Sequence, residues 1–217
     1  MLNEEATGMQ KGFARPGYFF IDRNGVIKEK FFEAKYRERL SGNSLIAKLF
    51  PELGQEVTET VEAPHLELAL EQSDRSGVPG TRVTLAVEVR LPNDVHVYAP
   101  SVQGYKPIRL VIDPIPEVDL KSSVYPKPKT LFLPAIQEQV SVFDGSFRIS
   151  QDIKISSSSA FWGSVPIEGK ALTITGRLEY QACDKTTCYV PTSVPVTWRF
   201  EVFPLDRVRA PLDIRHK

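Results

Sequence analysis

The sequence of 217 residues contains few of the residue types on which most enzyme chemistries depend. It has two cysteines and three histidines, and the histidines (His65, His96 and His216) are too scattered for a metal site. The 27 basic and 27 acidic residues cancel, which excludes the basic surface that nucleic-acid binding requires. Neither a glycine-rich phosphate loop nor a Gly-x-Ser-x-Gly elbow is present. The cysteines remain as the candidate chemistry, and we expect no metal or other cofactor.

The sequence also lacks targeting and membrane-spanning signals. No apolar run approaches the length of a membrane span. The opening residues, Met1 to Glu5, have neither the basic start nor the apolar core of a signal peptide. We therefore expect either that the chain stays where it is made or that its true beginning lies further upstream.

The two cysteines, Cys183 and Cys188, are separated by four polar residues and lie between two runs that are typical of strands. A hairpin is therefore predicted, in which the two sulfurs are close enough to bond. Closing so short a loop contributes roughly 2 kcal/mol, which makes the bond a weak structural constraint. The spacing alone leaves a structural disulfide and a reactive pair equally open. Neither cysteine belongs to a Cys-x-x-Cys motif at a helix N-terminus, and Asp184 offsets Lys185, so a relay of electrons is more plausible than strong oxidation.

Strand alternation places the two cysteines on faces of different character. The face of Cys183 carries polar residues such as Glu179, whereas the face of Cys188 carries Val190 and further apolar residues. Bonded cysteines must share a face, so one strand is expected to contain an irregularity. Gly176 and Pro191 are the candidates, because isolated glycine and proline often mark bulges.

The pattern of apolar, polar and charged residues divides the chain into four parts. Residues 1–54 read as a hairpin at Asn24-Gly25 and a helix capped by Ser41 or Asn43 and stopped by Pro51. Residues 55–64 are polar and acidic and are interpreted as a linker. Residues 65–203 alternate with the period of strands and predict a mainly β sandwich without helices, with a loop at 156–159. Residues 204–217 form a basic tail.

The segment from Arg15 to Gly25 resembles the late part of a thioredoxin-like domain of the AhpC/TSA (peroxiredoxin) group. In that family a proline, commonly cis, precedes the corresponding strand, and Pro16 matches it. The resemblance implies a partial α/β segment, a hairpin plus a helix. It transfers no catalytic residue, because no cysteine precedes Cys183. An unrelated hairpin and helix is the alternative.

Three later segments resemble the N-terminal domain of the DsbD thiol–disulfide interchange proteins. They are His96 to Pro100, Tyr125 to Pro134, and Tyr180 to Pro191, within residues 65–203. The resemblance implies an immunoglobulin-like sandwich in the periplasm or another extracytoplasmic compartment. One departure is visible, since Tyr189-Val190-Pro191 stands where the family often has a leucine or tyrosine followed by two prolines.

The same resemblance implies a set of site residues. Cys183 and Cys188 match the catalytic pair that exchanges electrons with thioredoxin-like or other thiol–disulfide exchange partners, and Cys188 is expected to form the mixed disulfide. Phe132 matches an aromatic residue on a loop that covers the cysteines. The alternative for Phe132 is packing in the core. The remaining pocket positions are His96, Tyr98, Tyr180 and Tyr189.

The sequence thus leaves three functions in order of preference. The first is an oxidoreductase domain that exchanges thiols and disulfides through the cysteine pair. The second is a non-enzymatic sandwich that binds a protein and has a structural disulfide. The third is a fragment of a peroxiredoxin-like antioxidant fusion, which the absence of an upstream cysteine opposes.

Overall fold

The computed structural model describes residues 15–33, 38–53, 56–133 and 137–205. The α-helices in these ranges are α1 (Gly42–Leu49) and α2 (Ser159–Ser164), and a 3-10 helix spans Pro51–Leu53. The strands, in chain order, are β1 (Gly17–Ile21), β2 (Ile27–Phe32), β3 (Arg39–Leu40), β4 (Glu56–Ala63), β5 (Leu66–Gln72), β6 (Ser76–Gly77), β7 (Thr81–Arg90), β8 (His96–Tyr98), β9 (Arg109–Ile112), β10 (Val118–Val124), β11 (Lys129–Leu133), β12 (Glu138–Asp144), β13 (Ser146–Ile155), β14 (Lys170–Tyr180), β15 (Ala182–Cys183) and β16 (Thr192–Val202).

Two sheets pack face to face around one apolar core. One has the strand order β10-β13-β7-β5-β4, and the other has the order β6-β16-β14-β9. Leu68 and Val87 from the first sheet and Ile174 and Trp198 from the second belong to the same buried cluster. The Trp198 indole N–H donates to the carbonyl of Glu71 at 3.0 Å, which ties one sheet to the other. The predicted mainly β sandwich is confirmed.

The central strand β7 is more deeply buried than its alternation predicts. Its apolar face points into the core as expected, because Val83 and Val87 are fully buried. The opposite face is also buried at Thr84 and Ala86. Helix α1 packs against β7, and Lys48 on this helix contacts the Asp152 carboxylate, which also accepts from the Thr84 hydroxyl. The N-terminal segment therefore covers a face that the sequence alone assigns to solvent.

The expected linker at 55–64 is a strand over most of its length. Strand β4 pairs with β5 in an antiparallel ladder at the edge of the sheet. Its residues are mostly exposed, since an edge strand has few neighbours, and Glu56, Glu59 and Glu62 protect the edge from pairing with another chain. Acidic composition was therefore a signal of an edge strand here, and the interpretation as a linker is wrong for 56–63.

The N-terminal hairpin and helix form as the sequence predicts. Strands β1 and β2 are joined at Asn24-Gly25, where Gly25 has a φ of 78° and the Asp22 carboxylate accepts from the backbone of Asn24 and Val26. The Ser41 hydroxyl caps α1 by accepting from the Ser44 N–H at 2.9 Å. The peptide bond before Pro16 is trans, unlike the cis bond common at the matching family position.

Buried charges connect this N-terminal segment to the sandwich. Strand β3 pairs in parallel with β7, and Leu40 is almost fully buried. Lys154 on β13 donates to the Glu38 carboxylate at 2.7 Å, and both side chains are buried. Arg82 and Glu33 form a second ion pair. Residues 38–53 are thus packed onto the sandwich, which explains how a segment too short to bury its own core is stabilised.

A short helix interrupts the region predicted to be free of helices. The Ser158 hydroxyl accepts from the Phe161 N–H at 3.2 Å and starts α2 within the predicted loop at 156–159. Phe161 then packs into the core. No helix in the described ranges is long and apolar enough to cross a membrane. Residues 1–14, the Pro134 end of the proline-flanked stretch and residues 206–217 of the predicted tail lie outside the described residues.

Candidate functional site

A small third sheet, with the order β11-β12-β8-β15, carries the cysteines. Cys183 ends β15 and faces Cys188 across a tight turn, with their α carbons 4.0 Å apart and their sulfurs bonded at 2.09 Å. The N–H of Asp184 donates to the carbonyl of Thr187, and the N–H of Tyr189 donates to the carbonyl of Ala182, both at 2.9 Å. The predicted cysteine hairpin is therefore confirmed, and backbone hydrogen bonds close it on both sides of the disulfide.

The irregularity that lets the cysteines share a face lies at Gln181. Strands β14 and β16 pair without a register shift from Lys170 to Tyr180, so Gly176 is not a bulge. Gly176 is needed for another reason, because a β carbon there would lie 2.4 Å from the carbonyl oxygen of Val111. The chain leaves β14 at Gln181, whose side-chain amide donates to the carbonyl of Tyr189 at 2.9 Å. Pro191 lies just before β16 on the returning side.

Asp184 organises the turn between the cysteines. One carboxylate oxygen accepts from the N–H groups of Thr186 and Thr187, each at 2.7 Å, and from the Thr186 hydroxyl at 2.9 Å. The other accepts from the Tyr189 hydroxyl at 2.7 Å. These donors, Tyr189 first, hold the pKa of Asp184 well below its usual range. The turn is thus fixed by groups that do not include either sulfur.

The two sulfurs differ in accessibility. Cys183 is 1% exposed and packs in a small cluster with Tyr98, Val140 and Val142. Cys188 is exposed. Cys188 is therefore the more accessible residue of the bonded pair.

Three ring side chains, Tyr98, Tyr105 and His96, lie beside the disulfide and form what we call the aromatic wall. The Tyr98 hydroxyl lies 3.7 Å from the Cys188 sulfur, at hydrogen-bonding distance for sulfur. Tyr98 stacks on Tyr105, with ring centroids 4.4 Å apart, and meets His96 edge to face at 5.6 Å. The Tyr105 hydroxyl donates to the Glu138 carboxylate at 2.7 Å, which is the main reason its pKa rises to about 12. The structure thus places His96 and Tyr98 beside the cysteines and adds Tyr105, which contacts Tyr98 from a different segment of the chain.

His96 lies directly opposite Cys183 in the pairing of β8 with β15. The side chain is 7% exposed, and its Nε2 atom has no hydrogen-bond partner within the described part of the chain. Burial lowers the pKa of His96, and the carboxylates of Asp144 and Asp184 oppose this shift. The imidazole is therefore neutral at neutral pH.

The family model described as "Thiol:disulfide interchange protein DsbD, N-terminal" matches residues 67–197, which include both cysteines. The chain belongs to this family.

Solved structures similar to this DsbD N-terminal family member are distant in sequence. The N-terminal periplasmic domain of ScsB from Proteus mirabilis is 13% identical, with a TM-score of 0.45, over 66% of this chain and 51% of that chain. The N-terminal domain of Neisseria meningitidis DsbD in the reduced form is 13% identical, with a TM-score of 0.36, over 54% of this chain and 80% of that chain. The chain thus spans about half the length of the ScsB structure. Curated proteins give no match.

Two of the tyrosines matched to the DsbD pocket lie away from the cluster around Cys183. Tyr180 is buried in the sandwich core and donates to the carbonyl of Pro64 at 2.7 Å, and burial raises its pKa to about 12. Tyr189 stacks on His65 with ring centroids 3.6 Å apart and supports the turn through Asp184. Neither tyrosine forms the wall at the sulfurs.

Phe132, matched to the aromatic cap of the DsbD family, is 49% exposed and is therefore not packed in the core. It lies on β11 opposite Gln139, whereas its neighbours Leu131 and Leu133 pack against the Cys183 cluster. Phe132 lines a cavity of about 580 Å³ whose wall also includes His96, Asp184 and Lys185. The side chain is thus beside the cysteine turn, and its role as a cap stays a prediction.

Metal chemistry has no support in the described ranges, where no group of three or more potential ligands comes together. Lys185 pairs with Asp94 at 2.6 Å across exposed side chains, so it does not supply a free cation to the sulfurs. The site can therefore offer a disulfide, an aromatic wall and a neutral histidine.

Proposed function

We propose that this chain is a thiol–disulfide exchange module that passes electrons between redox proteins through Cys183 and Cys188. The observation that carries the proposal is the disulfide between one exposed and one buried cysteine, in a turn that backbone hydrogen bonds close without the sulfurs. Membership of the DsbD N-terminal family supports the same chemistry.

The exchange proceeds in two balanced steps. A thiolate of a reduced partner attacks the Cys188 sulfur, which forms a mixed disulfide and releases Cys183 as a thiolate that takes up a proton. The partner's second thiolate then attacks its own sulfur in the mixed disulfide and releases Cys188, which is protonated in turn. The partner's dithiol is oxidised to a disulfide, and this chain's disulfide is reduced to a dithiol. The reverse sequence oxidises this chain.

The second candidate is a protein-binding sandwich whose disulfide is structural. A disulfide stabilises a fold most when it closes a long loop, and this one joins residues only five positions apart. The hydrogen bonds of Asp184 already hold that loop. The short loop and its independent closure favour exchange over a structural role.

The partners and the compartment follow from the same proposal. We place the chain in an extracytoplasmic compartment, facing thioredoxin-like or other exchange proteins, as suits an oxidised cysteine pair. We further propose that residues 15–53 derive from a thioredoxin-like AhpC/TSA segment. The β1–β2 hairpin and α1 support this relationship in outline.

A titration against glutathione redox buffers tests the exchange function. We expect a reduction potential above about −300 mV, the limit below which structural disulfides usually lie. We also expect the oxidised chain to accept electrons from a dithiol protein and the Cys188→Ser variant to accept none. A potential far below that limit, or unchanged transfer by Cys188→Ser, would contradict the proposal.

The cap role of Phe132 needs a separate test. If Phe132 shields the turn, Phe132→Ala is expected to increase the rate at which the reduced chain is alkylated at Cys188 severalfold. Val124→Ala is the matched control, since Val124 is also an exposed apolar residue and lies on β10. Equal rates in the two variants would remove Phe132 from the mechanism.

A further inference from the structure

The short segment that carries the exposed cysteine has an open backbone edge. Cys183 and Cys188 lie opposite each other, but the backbone hydrogen bonds are made by the residues before and after them. In such a non-hydrogen-bonded antiparallel pair, the N–H and C=O of each residue point away from the other strand, so those of Cys188 point away from β15. Alternate N–H groups of an extended chain point to the same side, so we infer the same direction for the N–H of Val190, two positions further on. Within the described residues, none of these three groups has a hydrogen-bond partner in the protein. We call residues 188–190 the Cys188 edge.

This edge lacks the protection that the β4 edge of the first sheet carries. Strand β4 exposes three glutamates along its length, which discourage a further strand from pairing. The Cys188 edge has no charged residue, and its Val190 side chain is 82% exposed. An unprotected edge with an exposed apolar side chain is a ready template for another extended chain.

The chemistry of the edge specifies its occupant. A donor, an acceptor and a second donor that are spaced along one strand are complementary to a polypeptide backbone in extended conformation. A small thiol has no backbone of that length. The residue of an incoming strand that lies opposite Cys188 has its side chain on the same face, so a cysteine there meets the Cys188 sulfur.

We propose that the Cys188 edge binds an extended, cysteine-bearing segment of a partner polypeptide by adding it to the sheet as a further strand. The N–H and C=O of Cys188 pair with one residue of that segment, and the Val190 N–H pairs with the residue two positions away. The proposal rests on the exchange function above and makes backbone pairing the source of selectivity for polypeptides over small thiols.

The experiment compares Val190→Pro with Val190→Ala. Proline removes the Val190 N–H, which makes no hydrogen bond in the described protein, and proline is tolerated at sheet edges. Alanine removes the side chain and keeps the N–H. Each reduced variant reacts with a cysteine peptide carried as its thionitrobenzoate disulfide, and release of thionitrobenzoate gives the rate constant. The thionitrobenzoate disulfide of N-acetylcysteine is the small-thiol reference. In both reactions the Cys188 thiolate attacks the cysteine sulfur of the reagent and releases thionitrobenzoate; Cys183 then attacks Cys188, expels the peptide or N-acetylcysteine as a thiol, and re-forms the protein disulfide.

We expect Val190→Pro to lower the ratio of the peptide rate constant to the N-acetylcysteine rate constant about fivefold, the value of one neutral hydrogen bond. Val190→Ala is expected to keep at least half of the wild-type ratio. Equal ratios in wild type and Val190→Pro would overturn the proposal. A loss of both rate constants in Val190→Pro would indicate a damaged fold, and the peptide experiment below then decides.

The second arm changes the peptide and leaves the protein intact. In an extended segment, alternate N–H groups point to the same side, so only one of two adjacent amides can pair with the carbonyl of Cys188. Methylation of that amide is expected to slow exchange about fivefold, and methylation of its neighbour is expected to have little effect. Two equal effects would overturn the proposal. If the unmodified peptide and N-acetylcysteine both fail to react with the wild type, the exchange function itself is refuted.

Discussion

Reduction of the disulfide is expected to lower the free energy of unfolding by about 2 kcal/mol and to leave the fold intact. The bond joins Cys183 and Cys188 across five positions, and the chain-entropy estimate for so small a loop is about 2 kcal/mol, against about 4.7 for a loop of a hundred residues. The hydrogen bonds on both sides of the pair and those of Asp184 involve no sulfur, so reduction does not remove them.

Urea unfolding of the oxidised chain and of the chain kept in dithiothreitol measures this difference. Reduction is a better perturbation than substitution, because a serine at the buried Cys183 position would add the cost of a buried hydroxyl. Both forms are expected to unfold in one transition with similar dependence on urea, since the surface buried on folding is the same. A loss above about 4 kcal/mol, or loss of cooperative unfolding, would exceed what loop entropy can supply and would show that the disulfide supports the scaffold.

Three further predictions address the surroundings of the pair. Tyr98→Phe is expected to slow alkylation of the reduced chain at Cys188 about tenfold at neutral pH, because it removes the hydroxyl beside the sulfur and a hydrogen bond to a charged group is worth about 1.5 kcal/mol. The rate of alkylation measures this effect, and Tyr105→Phe, which keeps the ring that stacks on Tyr98, must leave the rate unchanged. Burial lowers the pKa of His96, so the stability from its neutral form is present above about pH 6.5 and lost as the pH falls below it. Urea unfolding at several pH values should therefore show that the wild type loses stability relative to His96→Phe on acidification. If the unfolding free energies of the two proteins fall in parallel with pH, the lowered pKa of His96 is contradicted. Lys154→Met is expected to cost about 3–5 kcal/mol of unfolding free energy, since it leaves a buried glutamate without its cation, and a loss below about 1 kcal/mol would show that the pair is solvated.

Local chemistry made several parts of the molecule predictable. The glycine at position 25 fixed a turn that needs a positive φ, and Ser41 supplied a hydroxyl acceptor for the first turn of α1. The alternation of β7 identified its core face, and the spacing of the two cysteines predicted their hairpin. In each case the interacting groups are close in sequence, so the residues themselves specify the conformation.

The features that sequence could not supply depend on contacts between distant residues. Strand β4 was missed because an edge strand buries too little to alternate. Tyr105 was missed because its partner in the aromatic wall, Tyr98, lies on a different segment. The change of face at Gln181 replaces the predicted bulge, since the chain switches from pairing with β16 to pairing with β8. Glu38 carries no sequence signal of burial, and only the folded chain places it beside a lysine.

The Asp184 turn has a consequence for the lifetime of any covalent complex. Because its hydrogen bonds keep the two cysteines facing each other without help from the S–S bond, the free Cys183 thiol has a high effective molarity next to Cys188. In the exchange function proposed above, this arrangement serves the direction that oxidises the chain. There Cys183 attacks Cys188 of the mixed disulfide, expels the partner as a thiol and re-forms the disulfide without a conformational search, so that covalent complex is short-lived.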